Sequence, residues 1–220
     1  MRSIPGIHFV TAGDLPLLYP DEIHSQGVPE ADLAQISSRV AGASSTGLDF
    51  QVIGNRAYSV ADQFEVLTLA VNQAISGKQP QFPIKMKGLL GPDHSPSPCT
   101  RNHLDWPAFR DTTLDVLNYI QVEHRVPARV FVGPDAVAPG DYLVALAQAY
   151  NALRENGKLP REEGLALPTA VELLPARHVA EDTPGLFGGW IIHREGFRAP
   201  KVLDVARLQA WTLKPAIRKP

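Results

Sequence analysis

Apolar residues recur at three- and four-residue steps in four stretches of the chain, which is the spacing of one face of an α-helix. Leu33, Ile36 and Val40 mark a first helix from about Pro29 to Val40, with proline in the first turn, where its missing N–H costs nothing. Phe64, Leu67, Val71, Ala74 and Ile75 mark a second. It is opened by Ser59 as N-cap, with Asp62 in the first turn, and stopped by Gly77. Phe109, Leu114, Leu117, Ile120 and Val122 mark a third from about Trp106 to Val122, capped by Asp105. Leu143, Leu146, Ala149, Tyr150 and Leu153 mark a fourth, opened by Pro139 and Asp141 and ended at Asn156-Gly157. Between these lie short alternating or β-rich runs: Ile7–Val10, Asp49–Gly54, Phe82–Met86, Arg129–Gly133 and an extended stretch through Leu165–Leu167. A short helix start, Thr11–Asp14 followed by Leu15–Tyr19, precedes them.

The elements come in the same order twice. Gly54 aligns with Gly133, Asp62 with Asp141, Leu67 with Leu146 and Ala70 with Ala149. After a one-residue slip, Gly77-Lys78-Gln79-Pro80 aligns with Gly157-Lys158-Leu159-Pro160. The segment from Leu203 to Pro215 echoes Leu114 to Pro127 and reads as the start of a third copy. Repeated units of this kind bury their apolar faces against their neighbours. The expectation is a helix-rich α+β fold of two tandem helix–strand–helix–strand units with short strands. Residues 1–28 form an N-terminal segment, 29–90 the first unit, 91–105 a proline-rich linker, 106–175 the second unit and 176–220 a cap or partial third unit.

Composition narrows the functional classes. The formal net charge of the 220 residues is −2 and no basic stripe runs along them, which gives nucleic-acid binding no support. Lys214, Arg218 and Lys219 read as a solvated tail. Cys99 is the sole cysteine, so no internal disulfide forms. No run approaches the roughly 18 apolar residues of a membrane span, and the first residues carry no apolar core of a signal peptide. The twenty prolines fall mainly between periodic segments, as stiff connections.

Two segments offer chemistry. The linker 91–106 holds Asp93, His94, Cys99, His103 and Asp105. Of these, His94, Cys99, His103 and Asp105 are weak zinc-ligand candidates, because zinc takes imidazole and thiolate but their spacing fits no standard pattern. Asp105 has a simpler role as the helix cap. The segment 183–197 crowds Phe187, Trp190 and Phe197 among four glycines, with Arg194 beside them. Aromatic faces suit sugar rings, and glycines allow close approach to the backbone. Phe187, Trp190, Arg194 and Phe197 are therefore the candidate ligand-binding residues, and core capping is the alternative. No nucleophile elbow or phosphate loop is present, and no cofactor is implied. His24 and His178 read as isolated polar loop residues, and His124 as a cation at a helix end.

Asn55-Arg56-Ala57-Tyr58-Ser59-Val60-Ala61-Asp62-Gln63-Phe64 with its helix and Gly77-Lys78-Gln79-Pro80 resembles the pseudomurein-binding repeat, as does Val130 through Pro160. That resemblance covers about a third of the chain and implies attachment to a cell-wall polymer. Ile7-His8-Phe9-Val10-Thr11-Ala12-Gly13-Asp14-Leu15 resembles the last strand of a polysaccharide deacetylase barrel. That family's paired aspartates and His-x-x-x-His are missing, so no catalytic residue carries over. The resemblances imply a non-catalytic module that binds a cell-wall polysaccharide or supports a neighbouring catalytic domain. The alternative is a metal-dependent polysaccharide hydrolase using the linker residues. Location follows context: the cell surface if the chain belongs to a longer exported protein, the cytoplasm otherwise.

Overall fold

The computed structural model describes residues 10–96, 101–179 and 200–218. In chain order the elements are α1 (Leu15–Leu18), α2 (Glu22–Gln26), α3 (Glu30–Ala41), α4 (Ala43–Thr46), β1 (Gln51–Ile53), β2 (Arg56–Tyr58) and α5 (Val60–Ile75). Then come β3 (His103–Leu104), α6 (Trp106–Glu123), β4 (Val130–Val132), β5 (Asp135–Val137), α7 (Pro139–Asn156), β6 (Leu165–Ala166) and α8 (Pro200–Gln209), which runs into a 3-10 turn at Ala210–Thr212. The protein is thus a helix-rich α+β fold with small two-stranded antiparallel sheets.

Each long helix forms where the apolar spacing put it. Ser59 caps α5 reciprocally: its Oγ accepts from the Asp62 amide, and Asp62 Oδ2 accepts from the Ser59 amide. Asp105 caps α6 by accepting from the Ala108 amide at 2.9 Å.

The single strand read between the two helices of each unit is corrected to a hairpin. Gln51, Val52 and Ile53 pair with Tyr58, Ala57 and Arg56, and Val130, Phe131 and Val132 pair with Val137, Ala136 and Asp135. The two registers coincide under a single shift of 79 residues. Gly54 and Gly133 turn the two hairpins, both at φ 59°, a conformation glycine adopts without strain. Phe82–Met86 is not a strand. Ile84 makes one antiparallel bridge to Val28, and Pro80 and Pro83 remove the donors that a longer ladder would need. Of the expected strand Ile7–Val10, residues 7–9 lie outside the described residues.

The two copies are cross-packed. The central pair is α5 against α7. The first helix of each copy lies on the second helix of the other, α3 on α7 and α6 on α5. The peripheral pairings repeat this symmetry. The segment before each copy's first helix pairs antiparallel with the segment after its own second helix, at Val28–Ile84 and in β3–β6. The segment before each hairpin pairs in parallel with the exit segment of the other copy, at Leu48–Leu173 and Leu90–Arg125.

Each exit segment is held by a buried carboxylate on a second helix. Glu65 accepts from the amides of Lys87 and Gly88 at 2.8 and 3.0 Å, and Asp141 from those of Val171 and Ala170 at 2.8 and 3.2 Å. The core between the central helices includes Phe64, Leu67, Leu143 and Leu146, all fully buried. Trp211 closes one end, edge-on to Phe64 at 6.4 Å between ring centroids.

Candidate functional site

Two copies of one unit show which residues the fold itself requires, because a position that serves packing alone is filled by packing residues in both. Between first helix and hairpin, copy 1 has nine residues (42–50) and copy 2 has six (124–129). The longer connection contains α4, and beside it lies a groove of about 450 Å³, walled by the end of α3, α4, β1 and Leu174.

Gln51 and Gln63 line this groove. Gln51 Nε2 donates to Gln63 Oε1 at 3.0 Å and to the Ile36 carbonyl at 3.4 Å, and Gln63 Nε2 donates to the carbonyls of Asp49 and Tyr58. Gln51 Oε1 is buried without a hydrogen-bond partner. The equivalent residues of copy 2, Val130 and Tyr142, are 1% and 0% exposed, and the Tyr142 hydroxyl pairs with Thr113 Oγ1 at 2.7 Å. A valine and a tyrosine whose hydroxyl is paired therefore build the same corner of the fold. A buried amide pair with one acceptor unmade costs about 1–3 kcal/mol for that acceptor, with no gain in packing. Beside the pair, Phe50 presents a half-buried ring, and Ser38 and Arg39 are exposed at the rim.

A second polar cluster lies where α2, the start of α5 and the C-terminal segment meet. Asp62 Oδ2 accepts from Ser59 Oγ at 2.8 Å and from Lys214 Nζ at 3.0 Å. Asp62 Oδ1 lies 3.3 Å from His24 Nε2, which makes no hydrogen bond, so the contact is an ion pair. His24 Nδ1 meets Asp21 Oδ2 at 2.7 Å. The Asp62 carboxylate, helped by Asp21 and opposed by partial burial, pushes the His24 pKa up to about 9. Burial raises the Asp62 pKa, but His24, Lys214 and Ser59 together outweigh burial and hold it below the ordinary value. At neutral pH the imidazole is a cation between two carboxylates. The cluster links α2, the start of α5 and the C-terminal segment.

The sequence reading of His24 as an isolated loop residue is thereby corrected, and Lys214 is an ion-pair partner rather than part of a solvated tail. The linker candidates separate. His103 Nε2 lies 3.0 Å from the Glu163 carbonyl, Asp105 is the α6 cap, and His94 is exposed and pairs with neighbouring Asp93. Cys99 lies outside the described residues, and among the described residues no three potential ligands converge on one point. Phe187, Trp190, Arg194 and Phe197 also lie outside the described residues. His124 caps the end of α6 in the left-handed conformation at φ 50°.

The groove was missed in the sequence because Gln51 and Gln63 carry no motif. The aligned copies held the signal: a polar pair facing Val130 and Tyr142 at matched positions. No family model, curated protein or solved structure matches this chain.

Proposed function

We propose that this chain is a non-catalytic module that binds a cell-wall polysaccharide, alone or beside a catalytic domain, and that the groove between α3, α4 and β1 takes the saccharide. The observation that carries this reading is the glutamine pair, Gln51 and Gln63, standing where the second copy has valine and tyrosine. The pair is buried and makes the groove floor polar, while direct contact with a sugar falls to the half-buried ring of Phe50, which offers a face for a pyranose, and to the exposed Ser38 and Arg39 at the rim. A concave site lined by apolar surface with a few fixed polar groups is the usual form of a small-ligand pocket. The aromatic segment with Phe187, Trp190, Arg194 and Phe197 belongs to the same proposal as a second sugar contact.

The test transplants the second copy's residues into the first. Binding of soluble cell-wall oligosaccharides to the intact chain is measured by calorimetry, for the wild type and for Gln51→Val/Gln63→Tyr. The expected result is at least tenfold weaker binding by a chain whose native fold is verified by circular dichroism, because the exchange also removes the amide donors to the carbonyls of Ile36, Asp49 and Tyr58 and so lowers stability. Unchanged affinity would remove the groove from the proposal, and Trp190→Ala then decides whether the aromatic segment carries the binding. A wild-type chain that binds none of the oligosaccharides overturns the whole reading.

A further inference from the structure

The closing motif of each copy, Gly77-Lys78 in the first and Gly157-Lys158 in the second, lines one shared cleft of about 190 Å³. Sequence alone places these motifs 80 residues apart (77 and 157) and gives no reason for them to meet. They meet because α5 and α7 pack side by side and both end there. Arg161 adds a third cation to the rim. It lies over the Trp106 ring, 5.2 Å from the centroid, so its stem is steered by an aromatic face and not by a carboxylate. Among the described residues, Lys78 and Lys158 have no hydrogen-bond or ion-pair partner for their ammonium groups, and both are exposed. Leu153 lines the apolar side of the cleft.

Helix ends alone do not account for these charges. The carbonyl ends of two helices together present roughly one unit of negative charge, whereas two lysines and an arginine carry about three positive ones at neutral pH. Glu155, Glu162 and Glu163 stand beside these residues in the chain, but none of them lines the cleft, whose charged lining residues are all cations. Gly77 and Gly157 are both left-handed, at φ 76° and 69°, with open space on the side where a Cβ would stand, so a ligand can approach the backbone there.

We infer that this cleft is an oxyanion-binding site, built by the two closing motifs in common, for a carboxylate or phosphate group borne on a polymer. It deepens the polysaccharide-binding reading by giving the polymer a charge, and it is spatially separate from the glutamine groove. Lysine ammonium groups bind either anion as point charges, so the two sources share one chemistry.

The test is an amide-resolved NMR titration of the intact chain with three probes: galacturonic acid trimer, inorganic phosphate and neutral glucose trimer. Saturable shifts at the amides of Gly77, Lys78, Gly157 and Lys158 are expected with the galacturonate trimer, with phosphate, or with both. Which probe saturates identifies the source as carboxylate or phosphate. Lys78→Ala/Lys158→Ala is expected to weaken the response at least tenfold, Lys78→Arg/Lys158→Arg to retain it, and raised sodium chloride to suppress it. Absence of saturation with both anions overturns the inference. So does an equal response to the neutral trimer, or an affinity that the double alanine variant leaves unchanged. The Gln51→Val/Gln63→Tyr variant is titrated in parallel and is expected to behave as wild type, so the groove and the cleft fail independently.

Discussion

His24 joins the fold only while it is charged. Its folded-state pKa of about 9 lies well above the ordinary imidazole value, so the protonated form is the one the fold stabilises. The His24 contribution is therefore fully present below about pH 6.5 and is lost as pH rises through about 9. Its full size is about 3 kcal/mol from the size of that shift. Denaturant unfolding at pH 6.5 and pH 9.5 should show this loss, and His24→Gln should remove most of the difference. A pH-independent midpoint across that range would mean that the imidazole is not paired as described. Asp62 acts in the opposite sense. Its depressed pKa makes its contribution present at neutral pH and lost as pH falls through the folded-state value.

A second residue-scale prediction concerns backbone strain. Ala170 stands at φ 56°, in the exit segment that Asp141 holds by the amides of residues 170 and 171. An L-residue there pays roughly 1–2 kcal/mol against sterics. Ala170→Gly is expected to raise stability by up to about 1 kcal/mol, part of the relief being offset by the freer unfolded glycine. A lower melting temperature would show that the methyl group has a packing role.

At the scale of elements, the length of each segment decided how much was legible. The helices of 12 to 18 residues, α3, α5, α6 and α7, each give several turns of apolar period, α5 and α7 with a glycine stop signal as well, and they stand within a few residues of where the sequence placed them. All four hairpin strands have three residues, but the first strands sit in longer β-rich runs, whereas the second strands, Arg56–Tyr58 and Asp135–Val137, each open on a charged residue and run straight into a helix start. The groove depends on Gln51 and Gln63, two neutral residues 12 apart whose meeting is a property of the folded hairpin and helix. Spacing along the chain cannot express that meeting. His24 and Asp62, 38 residues apart, are the same case (24 and 62).

The helical faces themselves can be tested. Leu143 and its counterpart Phe64 are both fully buried between the central helices. Leu143→Ala is expected to cost about 2–5 kcal/mol, as a core cavity does. A cost below about 0.5 kcal/mol would contradict the packing of α7 described above.

At the scale of the whole molecule, cross-packing removes any plane along which the two copies could part. Separating them strips α3 from α7, α6 from α5 and α5 from α7, and breaks the parallel bridges at Leu48–Leu173 and Leu90–Arg125. Unfolding should therefore be a single cooperative transition. Calorimetry is expected to give one peak whose van't Hoff and calorimetric enthalpies agree. Two resolved transitions would show that the copies hold together separately.

The exchange of first helices has a further meaning for a chain that carries only one copy. Such a chain would present a second helix with no first helix on it and a first helix with no second helix beneath it. Two identical chains would satisfy each other through a twofold relation, each lending the other what it lacks. The arrangement seen within one polypeptide is thus that of a dimer whose partners have been joined end to end. Residues 29–90 produced alone should then associate in pairs, with a melting temperature that rises with concentration. The asymmetries that now distinguish the halves, a groove in one and a tyrosine in the other, are of the kind that become available once the two partners are encoded separately.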